Sequence, residues 1–303
     1  MDKVAPVIPE TLAAMTEKHP CYSFEAQHKF ARMHLPVAPA CNINCNYCNR
    51  KYDCANESRP GVTSEVLTPE QSLEKFLRIK RELPALTVVG IAGPGDALAN
   101  WGPVKKSIEL IKAAAPDTIF CLSTNGLMLP DYGQEIVDLG IRHVTVTMNS
   151  LKPAIGSKIY RHIYYRNQYY VGENAAEILL NNQLTGIKFL ADQGVLVKIN
   201  IVMLPDINTE HIPEVVKRSK ELGAFMSNIM PFIPVAGSTF QNLARTCRKE
   251  VDIMRDLCQS DLPQMRHCRQ CRADAIGLLT EDQSQKFRYA GLGQCAKKQC
   301  NAG

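Results

Sequence analysis

The 303-residue sequence holds one tryptophan and no unbroken apolar run of the length a membrane span requires. Its first ten residues, MDKVAPVIPE, place acid and proline where a secretory leader would need a continuous apolar stretch. Both absences point to the cytoplasm. Basic runs are also missing. The formal net charge of +5 is spread along the chain, so nucleic acid is not expected as a partner, and neither is a membrane. With 45% hydrophobic and 21% charged residues, the composition is that of a folded globular chain rather than a disordered one. The length suffices for one large α/β domain or two ordinary ones.

Cysteine is what the sequence has in excess. There are twelve: Cys21, Cys41, Cys45, Cys48, Cys54, Cys121, Cys247, Cys258, Cys268, Cys271, Cys295 and Cys300. In a reducing cytoplasm they are not expected to form structural disulfides, and a chain of this size needs no staples. Metal ligation is the better expectation.

Short β-rich runs at 34–40, 86–93, 118–125, 142–149, 195–203 and 224–230 alternate with helical patterns. Thr68-Pro69-Glu70 opens one helix with an N-cap and a proline at the first helical position. Others are expected near 101–114, 131–138, 173–193 and 210–221, with Gly140, Gly194 and Gly223 at three of their ends. About six strand–helix units predict a parallel sheet, as an open sheet or a partial or full (βα) barrel, with ligands at the C-terminal strand ends. Those ends are polar or glycine-rich: Ala92–Asp96, Ser123–Gly126, Thr147–Ser150 and Lys198–Asn200. The expected division is an N-terminal cluster-binding extension over 1–34, a barrel core over 35–235 and a C-terminal cluster-binding extension over 236–303. The alternation stops near 235, and an irregular tail is expected beyond it.

Cys41, Cys45 and Cys48 form a CxxxCxxC run just after the first expected strand. Three thiolates on one short loop can hold three irons of a four-iron cubane and leave the fourth open to a small molecule. A zinc site completed by a distant residue is the alternative, although zinc motifs more often use paired CxxC units.

This motif in this setting resembles the radical S-adenosylmethionine (SAM) superfamily. The resemblance implies SAM contacts from the turn Gly93-Pro94-Gly95-Asp96, from Ser123, Asn125, Thr147 and Asn200, and from Ile199 and Ile201 flanking the adenine. Taken singly, each of these residues could equally be a strand-end turn or cap. A closer resemblance, carried by residues 19–61, 92–100, 123–126 and 268–279, is to the NifB family of nitrogenase cofactor biosynthesis. It implies two further [4Fe–4S] clusters that act as substrates, three clusters in all: one on His34, Cys54 and Cys121, the other on Cys21, Cys268 and Cys271. The implied reaction fuses them into an eight-iron precursor. One SAM donates a methyl group, a second is cleaved reductively, the methyl carbon becomes a central carbide, and an extra sulfur is added. Implied partners are iron–sulfur cluster donors, an electron donor, and a carrier or scaffold of the NifX or NifEN type. Some family members fuse a carrier-like domain at the C-terminus, which this chain would have to find separately.

The residues support parts of this by themselves. Cys268 and Cys271 form a CxxC pair, and Cys121 shares a strand face with Ser123 by the period of two. His34 and Cys121 alone would read as buried core residues. Glu57, Arg59 and Glu65 follow the cysteine loop and could shuttle protons or brace a cluster, or form a solvated turn. Cys247 and Cys258 are expected on helix faces, with Cys295 and Cys300 in a basic tail. Two other readings share some of these features: a different radical SAM enzyme with auxiliary clusters, and a non-enzymatic iron–sulfur scaffold.

Overall fold

A computed structural model describes residues 10–288 except 57, 62 and 64. Glu57, Cys295 and Cys300 therefore lie outside the described residues. The strands are β1 (Ala31–His34), β2 (Ile43–Cys45), β3 (Leu86–Ile91), β4 (Ile119–Thr124), β5 (His143–Thr147), β6 (Tyr160–Tyr165), β7 (Gln168–Val171), β8 (Leu196–Met203), β9 (Met226–Pro231), β10 (Ile276–Leu278) and β11 (Glu281–Asp282). The helices are α1 (Glu10–Thr16), α2 (Pro69–Glu82), α3 (Trp101–Ala114), α4 (Leu129–Asp138), α5 (Pro153–Ile159), α6 (Gly172–Asp192), α7 (Ile212–Glu221) and α8 (Arg248–Cys258). No helix among the described residues is long and apolar enough to cross a membrane.

β1, β3, β4, β5, β8 and β9 lie side by side in sequence order, all parallel. This is the partial (βα) barrel expected from the strand–helix alternation. Side-chain alternation gives the sheet two chemically distinct faces. Val89, Leu122, Val144, Val197 and Ile199 join Phe76, Ile108, Ile187 and Val215 of the surrounding helices in one apolar core. Cys121, Ser123, Thr145, Lys198 and Asn200 occupy the alternate positions and face the interior. α2 begins where its sequence predicts: Thr68 accepts from the Gln71 N–H at 3.2 Å, and the Gln71 side chain returns the bond to Thr68 N–H.

Three features differ from the sequence reading. The first strand ends at His34 instead of starting there. Pro36 and Pro39 remove ladder donors from the following segment, so His34 stands at the C-terminal, ligand-gathering end of β1. A second sheet, ordered β2-β6-β7, carries Cys45 on its edge strand. Its hairpin turns through Arg166 and Asn167 at φ 50° and 62°, a two-residue turn without the glycine that would have flagged it. The tail is structured over the described residues 236–288: it contains α8, and β10 adds antiparallel to β1 and extends the barrel sheet. Cys247 caps α8 and Cys258 is buried at its end.

Candidate active site

The Cys41–Cys48 loop is positioned from both sides. On one side β2 pairs with β6, and Asn46 N–H donates to Ile159 C=O at 2.8 Å. On the other side the Gly93–Asp96 turn clamps the chain entering the loop. Asp96 N–H donates to Ala40 C=O at 2.9 Å. A Cβ on Gly95 would lie 2.0 Å from that same carbonyl oxygen, so only glycine permits this approach. Cys41, Cys45 and Cys48 then line a recess of about 330 Å³ together with Arg50, Cys54, Asn56, Asp96 and Asn125.

Asp96 is engaged from several directions. Its carboxylate accepts from Asn125 N–H at 2.6 Å, Leu98 N–H at 2.9 Å, and the Thr124 hydroxyl at 3.0 Å. Burial raises its pKa, and these donors pull it back down. Burial pushes the Cys41 thiol up to about 12, with Asp96 adding to the shift. Cys45 is held well above the usual thiol range by burial and by the neighbouring sulfurs, while Arg50 opposes the rise at Cys48. Thiols this reluctant to ionise keep their protons until a metal displaces them.

A larger recess of about 660 Å³ lies deeper in the barrel, and Cys21, His34, Cys121, Cys268 and Cys271 all line it. Strand register explains part of this convergence. His34, Gly90 and Cys121 are direct neighbours across β1, β3 and β4. The other three arrive from outside the parallel strands. Tyr22 anchors the N-terminal segment by donating to Leu196 C=O at 3.2 Å, and His267 bonds Pro20 C=O at 3.1 Å. The segments around Cys21 and Cys268 thus meet through their own contacts, although neither carries a pattern that would order it alone.

His34 is oriented as a ligand would be. Its Nδ1 lies 2.8 Å from Arg272 C=O; a carbonyl can only accept, so Nδ1 carries the proton and the Nε2 lone pair is left available. Burial, with Arg32 beside it, lowers its pKa to about 4 and keeps the ring neutral at pH 7. Arg32 donates to Cys271 Sγ at 3.3 Å and Asn228 to Cys268 Sγ at 3.3 Å. The turn after the cysteine loop serves both recesses: Cys54 and Asn56 line the outer one, Ser58 the inner one. Asn200 spans them by donating to Asn56 C=O at 2.9 Å.

Among the described residues no three His, Cys, Asp or Glu groups converge tightly enough for a single metal ion. None of the ten described cysteines forms a disulfide. Separated thiols around an open recess suit a four-iron cubane, whose ligands stand apart around a bulky core, better than one zinc ion.

Not every expected residue reaches a recess. The Ile199 side chain belongs to the helix-facing core, because Lys198 and Asn200 on either side face inward, so only its backbone could meet an adenine. Glu65 is buried in an ion pair with Lys75 and lines neither recess. Arg59 braces the C-terminal loop: its N–H donates to Cys271 C=O at 2.8 Å and its guanidinium to Arg269 C=O at 3.3 Å. Thr147 is buried and accepts from Gln183 through its carbonyl at 2.8 Å. Sequence reasoning missed the network behind Cys45. Asn149 donates to the Tyr47 hydroxyl at 2.9 Å and to Tyr160 at 3.2 Å, and Tyr47 donates to Asn56. Tyr47 and Asn56 sit beside the motif, but Asn149 follows the end of β5 and Tyr160 opens β6, and no spacing announces them.

Buried histidines around the inner recess give the metal-free chain a pH dependence. His143 Nε2–H donates to Met15 C=O at 3.0 Å, and burial holds its pKa at about 4. Unfolded, it titrates near 6.5. The stability this difference contributes is complete above pH 6.5 and is lost as pH falls toward 4. The thermal midpoint of metal-free protein should therefore drop between pH 7 and 5, and His143→Gln should flatten that slope. Parallel pH curves for the two proteins would refute the assignment. Comparing the two slopes also cancels Asp53 and Asp96, whose raised values act in the opposite direction.

A partial parallel barrel with a three-thiol loop at its strand ends defines a class. The chain belongs to the radical SAM superfamily, whose sequence model matches residues 35–218. It is 52% identical over 284 residues to the FeMo cofactor biosynthesis protein NifB of Bradyrhizobium diazoefficiens, covering 92% of this chain and 57% of that protein. Its identity to NifB of Klebsiella pneumoniae is 49% over 288 residues, covering 94% and 61%. The chain thus spans little more than half the length of these curated relatives. Among solved structures it resembles Streptococcus suis SuiB bound to S-adenosylmethionine (TM-score 0.52, 15% identity, 78% of this chain and 50% of that one). It also resembles methylornithine synthase PylB (TM-score 0.51, 16% identity, 80% and 66%). At these identities the likeness establishes the fold alone.

Proposed function

We propose that this chain fuses two [4Fe–4S] substrate clusters, with insertion of a SAM-derived carbide and an extra sulfur, into the eight-iron precursor of the nitrogenase cofactor. The observation that carries this reading is the convergence of Cys21, His34, Cys121, Cys268 and Cys271 on one interior recess behind the three-cysteine loop. A radical SAM enzyme acting on a small organic substrate has no need for so many ligands at that point.

Cys41, Cys45 and Cys48 hold the SAM-binding cluster, which when bound supplies the electron for reductive cleavage of SAM. The Gly93–Asp96 turn, Asn125 and the strand ends through Ser123, Thr147 and Asn200 receive SAM. His34 and Cys121 of the inner recess, with Cys54 from the outer one, hold one substrate cluster; Cys21, Cys268 and Cys271 hold the other. Three protein ligands each, one an imidazole, leave a cluster removable, as a substrate must be. The division into an N-terminal extension, a barrel and a C-terminal extension follows the same logic, since the ends bring ligands and the barrel brings SAM. Such thiol chemistry belongs in a reducing cytoplasm, with cluster-donor proteins, an electron donor and a carrier such as NifX or NifEN as partners.

The test is anaerobic. Protein reconstituted with iron and sulfide should hold about twelve irons per chain, the content of three cubanes. On adding SAM and dithionite it should form 5′-deoxyadenosine and S-adenosylhomocysteine together with an eight-iron species. 5′-Deoxyadenosine without the eight-iron species would favour another radical SAM enzyme with auxiliary clusters. Neither product would leave a scaffold.

A further inference from the structure

Lys198 is a buried charge with no counter-charge among the described residues. It lies on β8, is 7% exposed, and faces the inner recess. Among the described residues its ammonium forms no ion pair. It approaches the Met265 thioether at 4.0 Å and stands 4.9 Å over the Tyr22 ring. Among the described residues no aspartate or glutamate lines this recess. An ammonium taken out of water without an anion costs several kcal/mol, and an aromatic face returns only part of that. The described lining supplies no carboxylate, so an anion filling the space would complete the pair.

The position narrows what that occupant is. Lys198 stands in one cross-strand row with Ser123 and Thr145, one rung along from Cys121, and the N-terminal segment brings Cys21 to the same recess. Burial pushes the Cys21 and Cys121 thiols up, to about 11 and about 12, and the Lys198 charge opposes both rises. One thiol belongs to each of the two ligand sets assigned above. A cubane held by thiolates is an anion, and two of them in one recess repel each other. We infer that Lys198 is the counter-ion seated between two anionic iron–sulfur substrate clusters, lowering the cost of bringing them together; this rests on the cluster-fusion reading.

The test compares wild type, Lys198→Met and Lys198→Arg, each metal-free and each reconstituted anaerobically with ferrous iron and sulfide. Without metal, Lys198→Met removes a lone buried charge, so its thermal midpoint should rise by roughly 2–4 °C. With clusters the order should reverse. Lys198→Met should take up less auxiliary iron and show a more negative auxiliary-cluster potential, because a nearby cation favours the added electron. Lys198→Arg should restore uptake and potential. A Lys198→Met protein less stable than wild type without metal, or one with unchanged iron and potential when loaded, overturns the inference. Failure of the fusion reading would show separately, in wild type alone, as full cluster loading with no eight-iron species released.

Discussion

Replacing Cys41, Cys45 and Cys48 together by alanine should abolish SAM cleavage, taking 5′-deoxyadenosine to background, while the protein keeps its fold and its inner-recess iron. The three side chains line one recess from one loop, and the inner recess draws its ligands from His34, Cys121 and the two terminal segments. The variant should lose about four irons per chain and hold the remainder. The loop's own anchors, the β2–β6 pairing and the Ala40–Asp96 hydrogen bond, use backbone groups that alanine preserves. Persistent 5′-deoxyadenosine in the triple variant would remove the loop from the chemistry. Loss of all iron would show that the two recesses do not load independently.

Gly90→Val should empty one substrate position through sterics alone. A Cβ at residue 90 would lie 3.0 Å from Cys121 Sγ and 3.0 Å from His34 Cδ2, already tighter than ordinary contact, and valine adds two methyl groups there. Neither neighbour can readily retreat. His34 is held by its bond to Arg272 C=O, and Cys121 sits within a central strand. The absent side chain at Gly90 is the gap through which a cluster can touch both. Auxiliary iron should fall by about four per chain and the eight-iron product by roughly 100-fold. The signal of the Cys41–Cys48 cluster should remain as an internal reference. Full iron content in Gly90→Val would mean that His34 and Cys121 do not share a cluster.

Much of the barrel was readable because its determinants are local and periodic. Apolar runs bounded by glycine and proline marked five of the six parallel strands, the first having been expected at 34–40 where β1 has already ended, and the Thr68-Pro69 start of α2 needs only four consecutive residues to declare itself. CxxxCxxC was legible for the same reason, since three ligands on one loop need no fold to bring them together. The period of two even put Cys121 and Ser123 on a common face.

What the sequence left open depends on contacts between distant segments. Nothing near His34 in the chain says that it stands beside Gly90 and Cys121, because cross-strand register is settled by how whole strands pack. The small β2-β6-β7 sheet joins residues more than a hundred positions apart, and its turn lacks the usual glycine signal. The tail read as irregular because β10 is only three residues long, too short for a periodic pattern; it becomes a strand by pairing with β1. The sequence by itself determined the class of fold and the thiol loop. Only the tertiary structure decided that Cys21, Cys268 and Cys271 reach one recess, that Ile199 turns away from it, and that the Lys198 ammonium is buried there with no carboxylate among the described residues, because burial and counter-charge are properties of the packed chain.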